Sequence, residues 1–401
     1  MISLDDLKAL GRPARTKIVL LVMDGVGGLP RSFDGKTELE AAATPNLDAL
    51  AAQATLGLAD PVAPSITPGS GPGHLGIFGY DPLQFRIGRG GLEAGGIDMQ
   101  MTEKDLAARG NFCSVDAQGL ITDRRAGRIP TETCAKLCGL LETIKIPGVE
   151  LIVRPVREHR FVVLFRGEGL EEGLSESDPQ EVGKAPLPIR AEAPRAAHAA
   201  EIANRFAAEA KRVLAAEHPA NMLLLRGFSR HPDILKLTDI YGVRAGVIAG
   251  YPMYRGLARL VGMQAVKAGD TVADEFTALE KSFGQFDFFF VHIKKTDSYG
   301  EDGNFDGKMH VIEEVDRELP RLLALQPDVI VVTGDHSTPA THKAHSWHPV
   351  PVLLWSKWCR PDGAKGFSER ECRFGGLGHI RAAELMPLIM GNAERLAKFG
   401  A

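Results

Sequence analysis

Four strand-like runs in this chain are built on almost unbroken apolar stretches: TKIVLLVMDG (16–25), FDFFFVHIKKTD (286–297), PDVIVVTGDHSTP (327–339) and HPVPVLLWS (348–356). A strand with one wet face alternates apolar and polar side chains. These do not, so both faces of the sheet they form must be covered. Amphipathic segments lie between them. TPNLDALAAQA (44–54) offers Thr44 as N-cap and Pro45 at the first helical position, and KMHVIEEVDRELPRLLA (308–324) follows the second run. Strand, helix, strand, helix with unalternating strands specifies an α/β fold, a mostly parallel sheet flanked by helices.

At 401 residues the chain exceeds what one hydrophobic core ordinarily organises, about 250–300 residues. The texture changes between the α/β stretches. RFVVLFRG reads as a strand, a polar and proline-rich connector runs to 195, AAHAAEIANRFAAEAKRVLAAE (196–217) reads as a helix, and NMLLLRG (221–227) as a strand. We expect a smaller α+β domain inserted over 95–235, with 1–94 and 236–401 forming the main domain. A net charge of −4 gives no electrostatic pointer to nucleic acid or an anionic membrane, and no apolar run approaches the length of a membrane span. With no basic-then-apolar leader at the N-terminus, the expectation is a soluble, cytoplasmic protein. The five scattered cysteines, Cys113, Cys134, Cys138, Cys359 and Cys372, lack paired metal-site spacing and are expected as buried thiols.

In parallel α/β sheets ligands gather beyond the carboxyl ends of the strands. The first run ends in Asp24. The second ends in Asp297, with Glu301 and Asp302 just after, and the third in Asp335-His336. HKAHSWHP then supplies His342, His345 and His348. A single Asp after a strand is often a cap or a turn, but independent caps need not converge on one edge of one sheet. Carboxylates and imidazoles together suit divalent ions such as Zn or Mn, and two ions at roughly 4 Å can clamp the attacking and leaving oxygens of phosphoryl transfer. The glycine- and proline-rich ITPGSGPGHLGIFGYDP (66–82) is then read as a loop holding Ser70 toward such ions as a nucleophile.

VMDG, TPGSGPGHLGIFGYDP, TDSYGEDG, VVTGDHSTP and HSWHPVPVLLWS, in this order, resemble the alkaline phosphatase superfamily. Within it the chain is most similar to the archaeal-type cofactor-independent phosphoglycerate mutases, from about 16 to about 390, and FCSVDAQGLITDRRAGR and LSESDP extend the likeness through the insert. The resemblance implies Ser70 as the phosphorylated serine. It assigns Asp24, Ser70, Asp335 and His336 to one metal site, and Asp297 and His345 to a second. Where the family pattern carries a histidine, this sequence has Glu301, an oxygen ligand that shifts the expected preference toward Mn or Mg rather than Zn, with Co also possible. Asp123 and Arg124 match an acid/base and phosphate-contacting pair. Arg226, Arg230 and Arg255 match substrate-binding positions, Arg255 standing where a lysine is usual.

The implied partner is a small phosphorylated acid, phosphoglycerate, which carries a phosphate and a carboxylate that arginine forks hold bidentately. The implied reaction is interconversion of 3- and 2-phosphoglycerate. A metal-dependent phosphatase, or a homoserine kinase-like phosphotransferase on the same fold, is the alternative.

Overall fold

The computed structural model of the chain describes residues 2–33, 35–85, 88–97, 99–230 and 234–400. Its residues form two compact units, 1–86 with 234–401 and 87–233. The expected boundary at 94/95 falls inside the helix Arg89–Gly96. That helix buries Ala94 against Ala107, Val162 and Leu164, so its apolar contacts lie in the second unit.

The strands in chain order are β1 (Ile18–Met23), β2 (Thr55–Asp60), β3 (Asp105–Val115), β4 (Ile121–Asp123), β5 (Val149–Arg157), β6 (Arg160–Gly167), β7 (Met222–Arg230), β8 (Ala245–Ala249), β9 (Gln264–Val266), β10 (Phe288–Ile293), β11 (Val329–Thr333), β12 (Val350–Ser356) and β13 (Gly378–Arg381). In the first unit eight of them form one sheet in the order β13-β2-β12-β11-β1-β10-β8-β9. β1 lies between β10 and β11 and runs parallel to both, with Ile18 opposite Phe288 on one side and Val329 on the other. Every residue of β1, β10 and β11 is buried, as unalternating strands require. The sheet is parallel except at β12, which pairs antiparallel with both β11 and β2.

The segment after β1 does form the helix Pro45–Ala51 with Pro45 at its first position, but Thr44 makes no capping bond to it. Asp316, on the helix Phe305–Ala324, takes that role instead. Its carboxylate accepts the Leu47 N–H at 2.7 Å and the Asn46 N–H at 3.4 Å. A cap supplied from another helix joins the two elements, something local sequence does not display.

The second unit is an antiparallel sheet in which β3 pairs with β4, β6 and β7, and β5 with β6. The helices Thr131–Glu142 and Ala197–Val213 share a core with this sheet, in which Leu137, Leu141, Ile202 and Phe206 meet Phe161, Val163 and Phe165.

Candidate active site

Because β1, β10 and β11 are adjacent, parallel and in register, their carboxyl ends open at one edge of the sheet. Asp24 follows β1, Lys294 and Asp297 follow β10, and Asp335 and His336 follow β11. Asp24, Asp335 and His336 are fully buried there and Asp297 is nearly so. His336 Nε2 lies 3.2 Å from both Asp24 Oδ1 and Asp335 Oδ2. On its other side His345 stacks ring to ring, centroids 3.7 Å apart, and sets Nε2 3.5 Å from Asp297 Oδ1. His345 is oriented by a 2.8 Å contact between its Nδ1 and the Pro68 carbonyl.

Ser70 corrects the loop expectation. It opens a helix, Ser70–Ile77, rather than sitting at a loop tip, and its Oγ lies 3.4 Å from His336 Nε2. The glycines bring this helix against the strand end, since a Cβ on Gly73 would stand 2.1 Å from the Asp335 carbonyl oxygen. One turn on, the buried His74 sets Nδ1 2.7 Å from the Ser70 carbonyl and 3.0 Å from Asp335 Oδ2, tying helix to cluster.

Two sets of side chains, Asp24/Asp335/His336 and Asp297/His336/His345, present ligand atoms within 4.8 Å of one another. Asp24 Oδ1 and Asp335 Oδ2 are buried with no hydrogen-bond donor of adequate geometry. Buried anionic oxygens without donors are costly, and a divalent cation relieves that cost for several at once. Glu301 ends the helix Lys295–Glu301, with Oε1 3.8 Å from His345 Nε2 and a side chain 58% exposed. Of the other loop histidines, His342 is exposed and His348 turns its Nδ1 to Ser346 Oγ at 3.0 Å.

Several site residues went unread in the sequence. Lys294 Nζ donates to Asp24 Oδ2 at 3.0 Å and to Asp297 Oδ2. Burial works to lower its pKa, but Asp24, Tyr254 and Asp297 outweigh this and hold the ammonium well above its ordinary range. Burial likewise would raise Asp24, yet Lys294, with the imidazoles of His292 and His336 beside it, keeps it well below the usual carboxylate range. His336 is held at about 9, its burial overcome by Asp335 and Asp24. His292, 3.3 Å from Asp24 Oδ2 and stacked on Tyr254, is lowered chiefly by burial. His292 and Lys294 stand inside a run that reads simply as a core strand and its end.

In the second unit Asp123 ends β4 and uses both carboxylate oxygens on backbone, accepting the N–H groups of Arg125 and Gly127. Arg124 makes a fork with Asp178, Nε to Oδ1 at 3.0 Å and Nη2 to Oδ2 at 2.6 Å. Arg226 Nη1 reaches the same carboxylate at 4.0 Å. Asp178 is fully buried as a side chain, and although burial would raise its pKa, Arg124 and the Gln180 N–H lower it. Arg230, also on β7, pairs with Glu171 at 3.0 Å. Arg255, in the first unit on the helix Pro252–Leu260, donates Nη1 to the carbonyls of Ala249 and Gly250 at the end of β8.

Among the described residues no helix is long and apolar enough to cross a membrane; the five cysteines are free thiols, four of them buried as expected and Cys359 only half-buried.

A family model described as 2,3-bisphosphoglycerate-independent phosphoglycerate mutase matches residues 51–221. The chain is 54% identical over 388 residues, 96% of each chain, to a protein of Thermotoga neapolitana named "Probable 2,3-bisphosphoglycerate-independent phosphoglycerate mutase". A protein of the same name from Thermus thermophilus is 48% identical over 400 residues, 98% of each chain. Among solved structures, a Pyrococcus horikoshii protein matches with a TM-score of 0.82 at 32% identity, over 96% of this chain and 99% of that one. The cofactor-independent phosphoglycerate mutase of Thermoplasma acidophilum matches with a TM-score of 0.72 at 30% identity, over 94% of this chain and all of the other. With similarity of this extent along nearly its whole length, the chain belongs to the 2,3-bisphosphoglycerate-independent phosphoglycerate mutase family.

Proposed function

We propose that this protein interconverts 3-phosphoglycerate and 2-phosphoglycerate in the cytoplasm, through a phosphoserine at Ser70 and with two divalent ions, Mn in the first instance. The observation that carries the reading is the position of Ser70. Its hydroxyl opens a helix beside His336, inside a buried cluster of carboxylates and imidazoles that two ions would suit. The names of its relatives supply the substrate.

Asp24, Asp335 and His336 with Ser70 would hold one ion, and Asp297, His345 and Glu301 the other. When bound, the ions lower the pKa of the serine hydroxyl and neutralise charge on the transferring phosphoryl group.

The chain's own groups do the rest. Ser70 Oγ gives up its proton and bonds to phosphorus as the bond from phosphorus to the glycerate oxygen breaks, and the leaving oxygen takes up one proton in exchange, so that glycerate departs as the hydroxyl. The positive end of the Ser70–Ile77 helix dipole faces the phosphoserine and favours its charge. Lys294 adds a fixed positive charge against Asp24 and Asp297. Arg124, Arg226, Arg230 and Arg255 are proposed to bind the anionic groups of the substrate. Asp123, held by two backbone N–H groups, is proposed to move the proton of the glycerate hydroxyls, so that the second oxygen can take the phosphoryl group back from Ser70.

A coupled assay on chelator-treated protein, with Mn, Mg, Co and Zn added back separately, tests this. Product 2-phosphoglycerate and free phosphate are measured in the same reaction. We expect metal-dependent mutase turnover with little free phosphate, and loss of that turnover by several orders of magnitude in Ser70→Ala. Stoichiometric phosphate release by the parent would identify a phosphatase instead.

A further inference from the structure

A second buried polar layer lies behind the ligand cluster, and none of the roles above uses it. Its centre is Thr338, two residues beyond His336 and fully buried. The Thr338 hydroxyl donates to Asp297 Oδ1 at 2.7 Å and lies 2.9 Å from His336 Nδ1. Its backbone is pinned on both sides. The N–H meets the Gly25 and Gly27 carbonyls at 3.1 Å each, and the carbonyl accepts from Lys308 Nζ at 2.9 Å. Lys308, a fully buried ammonium, also donates to the Gly27 carbonyl at 3.0 Å and stands 4.0 Å from Glu38 Oε1, which accepts the Ala340 N–H. There is no slack in this packing, because a Cβ on Gly25 would lie 2.5 Å from Thr338 Oγ1.

We propose that Thr338, clamped by Lys308, is a positioning residue that assigns His336 to the Asp24/Asp335 ion and divides the ligand cluster into two sites. The inference rests on the metal-centre reading above. A hydroxyl has one proton, and this one goes to Asp297. Toward His336 the oxygen can therefore only accept, which places a proton on Nδ1. When a bound ion displaces the second imidazolium proton, the Nε2 lone pair faces Asp24 Oδ1, Asp335 Oδ2 and Ser70 Oγ, the atoms of one site. Asp297 keeps Oδ1 3.5 Å from His345 Nε2, in the other site. Without the hydroxyl, His336 could offer either nitrogen and Asp297 either oxygen, and the two sites would compete for the same ring. Groups of this kind behind a ligand typically change metal affinity by about 10- to 100-fold.

The test uses the full chain, stripped with chelator and titrated with MnCl2, free Mn2+ being followed by electron paramagnetic resonance. Thr338→Val should weaken Mn2+ binding by about 10- to 100-fold. Its metal-free melting temperature should stay close to that of the parent. Thr338→Ser, which keeps the hydroxyl, should restore most of the affinity. If Thr338→Val does not fold, Thr338→Ala takes its place under the same comparison. Parent-like Mn2+ affinity in the variant without the hydroxyl overturns the proposal, as does a serine variant no better than it. A parent chain that binds no Mn2+ overturns the metal-centre reading as well, so the two failures are told apart.

Discussion

Glu301 is the one expected metal ligand that the structure leaves more than half exposed, its carboxylate 3.8 Å from His345 and outside both sets of ligand atoms. Its worth as a ligand is therefore a question of one side chain. If it completes the Asp297/His345 set, Glu301→Ala should retain one tightly bound Mn2+ and lose most affinity for the second. Glu301→His should keep both, with preference moved toward Zn. Two tight Mn2+ in the alanine variant, counted by equilibrium dialysis, would place Glu301 in solvent. The sequence marked this position through a departure from a pattern. It could not mark Lys294 or Thr338, because a lysine after a strand and a threonine in the segment beyond a strand are ordinary there. Only the placing of β10 and β11 on either side of β1 puts Lys294 against Asp24 and Thr338 against Asp297.

Between elements, the connector after β6 matters more than its polar composition suggests. It carries Asp178, whose buried carboxylate holds Arg124 in a two-bond fork and draws Arg226 on β7 toward it. Losing one partner of such a pair leaves an uncompensated buried charge. Arg124→Ala should thus lower unfolding free energy by about 3 kcal/mol, measured in urea. Removing the charge together with its partner, in Arg124→Ala with Asp178→Asn, should recover most of that loss. A double variant no more stable than the single would show that the fork does not hold the connector. Arg124 was legible as a candidate from its motif. Its partner, 54 residues away, was not, since pairing across that distance is decided by the sheet. The helix Pro45–Ala51 shows the same limit. Its first residue was readable from Pro45, whereas its cap comes from Asp316 on a remote helix.

For the whole molecule, stability against pH is set in part by carboxyls that the site does not use. Glu275, on the helix Val272–Ser282, is pushed up to about 8, mainly by burial and further by Asp270 and Asp274, while the Gly250 N–H and Lys295 act the other way. The folded state therefore holds a proton that the unfolded chain releases above its ordinary pKa of about 4.5. The stabilisation is complete below that value and is lost as pH rises toward 8, by at most about 5 kcal/mol. Urea midpoints from pH 5 to 8 should fall more steeply in the parent than in Glu275→Gln. Equal slopes would show that this carboxyl is ionised in the folded chain. Burial of this kind is a property of the assembled fold, as is the site itself. The sequence alone determined the class of the fold, because unalternating strands must be covered on both faces. It also determined which strands have Asp24, Asp297 and Asp335 beyond their carboxyl ends, because each follows its strand within a few residues; the expected strand to Asp297 stops at Ile293, and Asp297 stands on the helix Lys295–Glu301. Strand order, the antiparallel run of β12, the helix that begins at Ser70 and the division of ligands around His336 were decided by tertiary structure. Each of these depends on which distant segments pack together, and local patterning carries no record of its eventual neighbours.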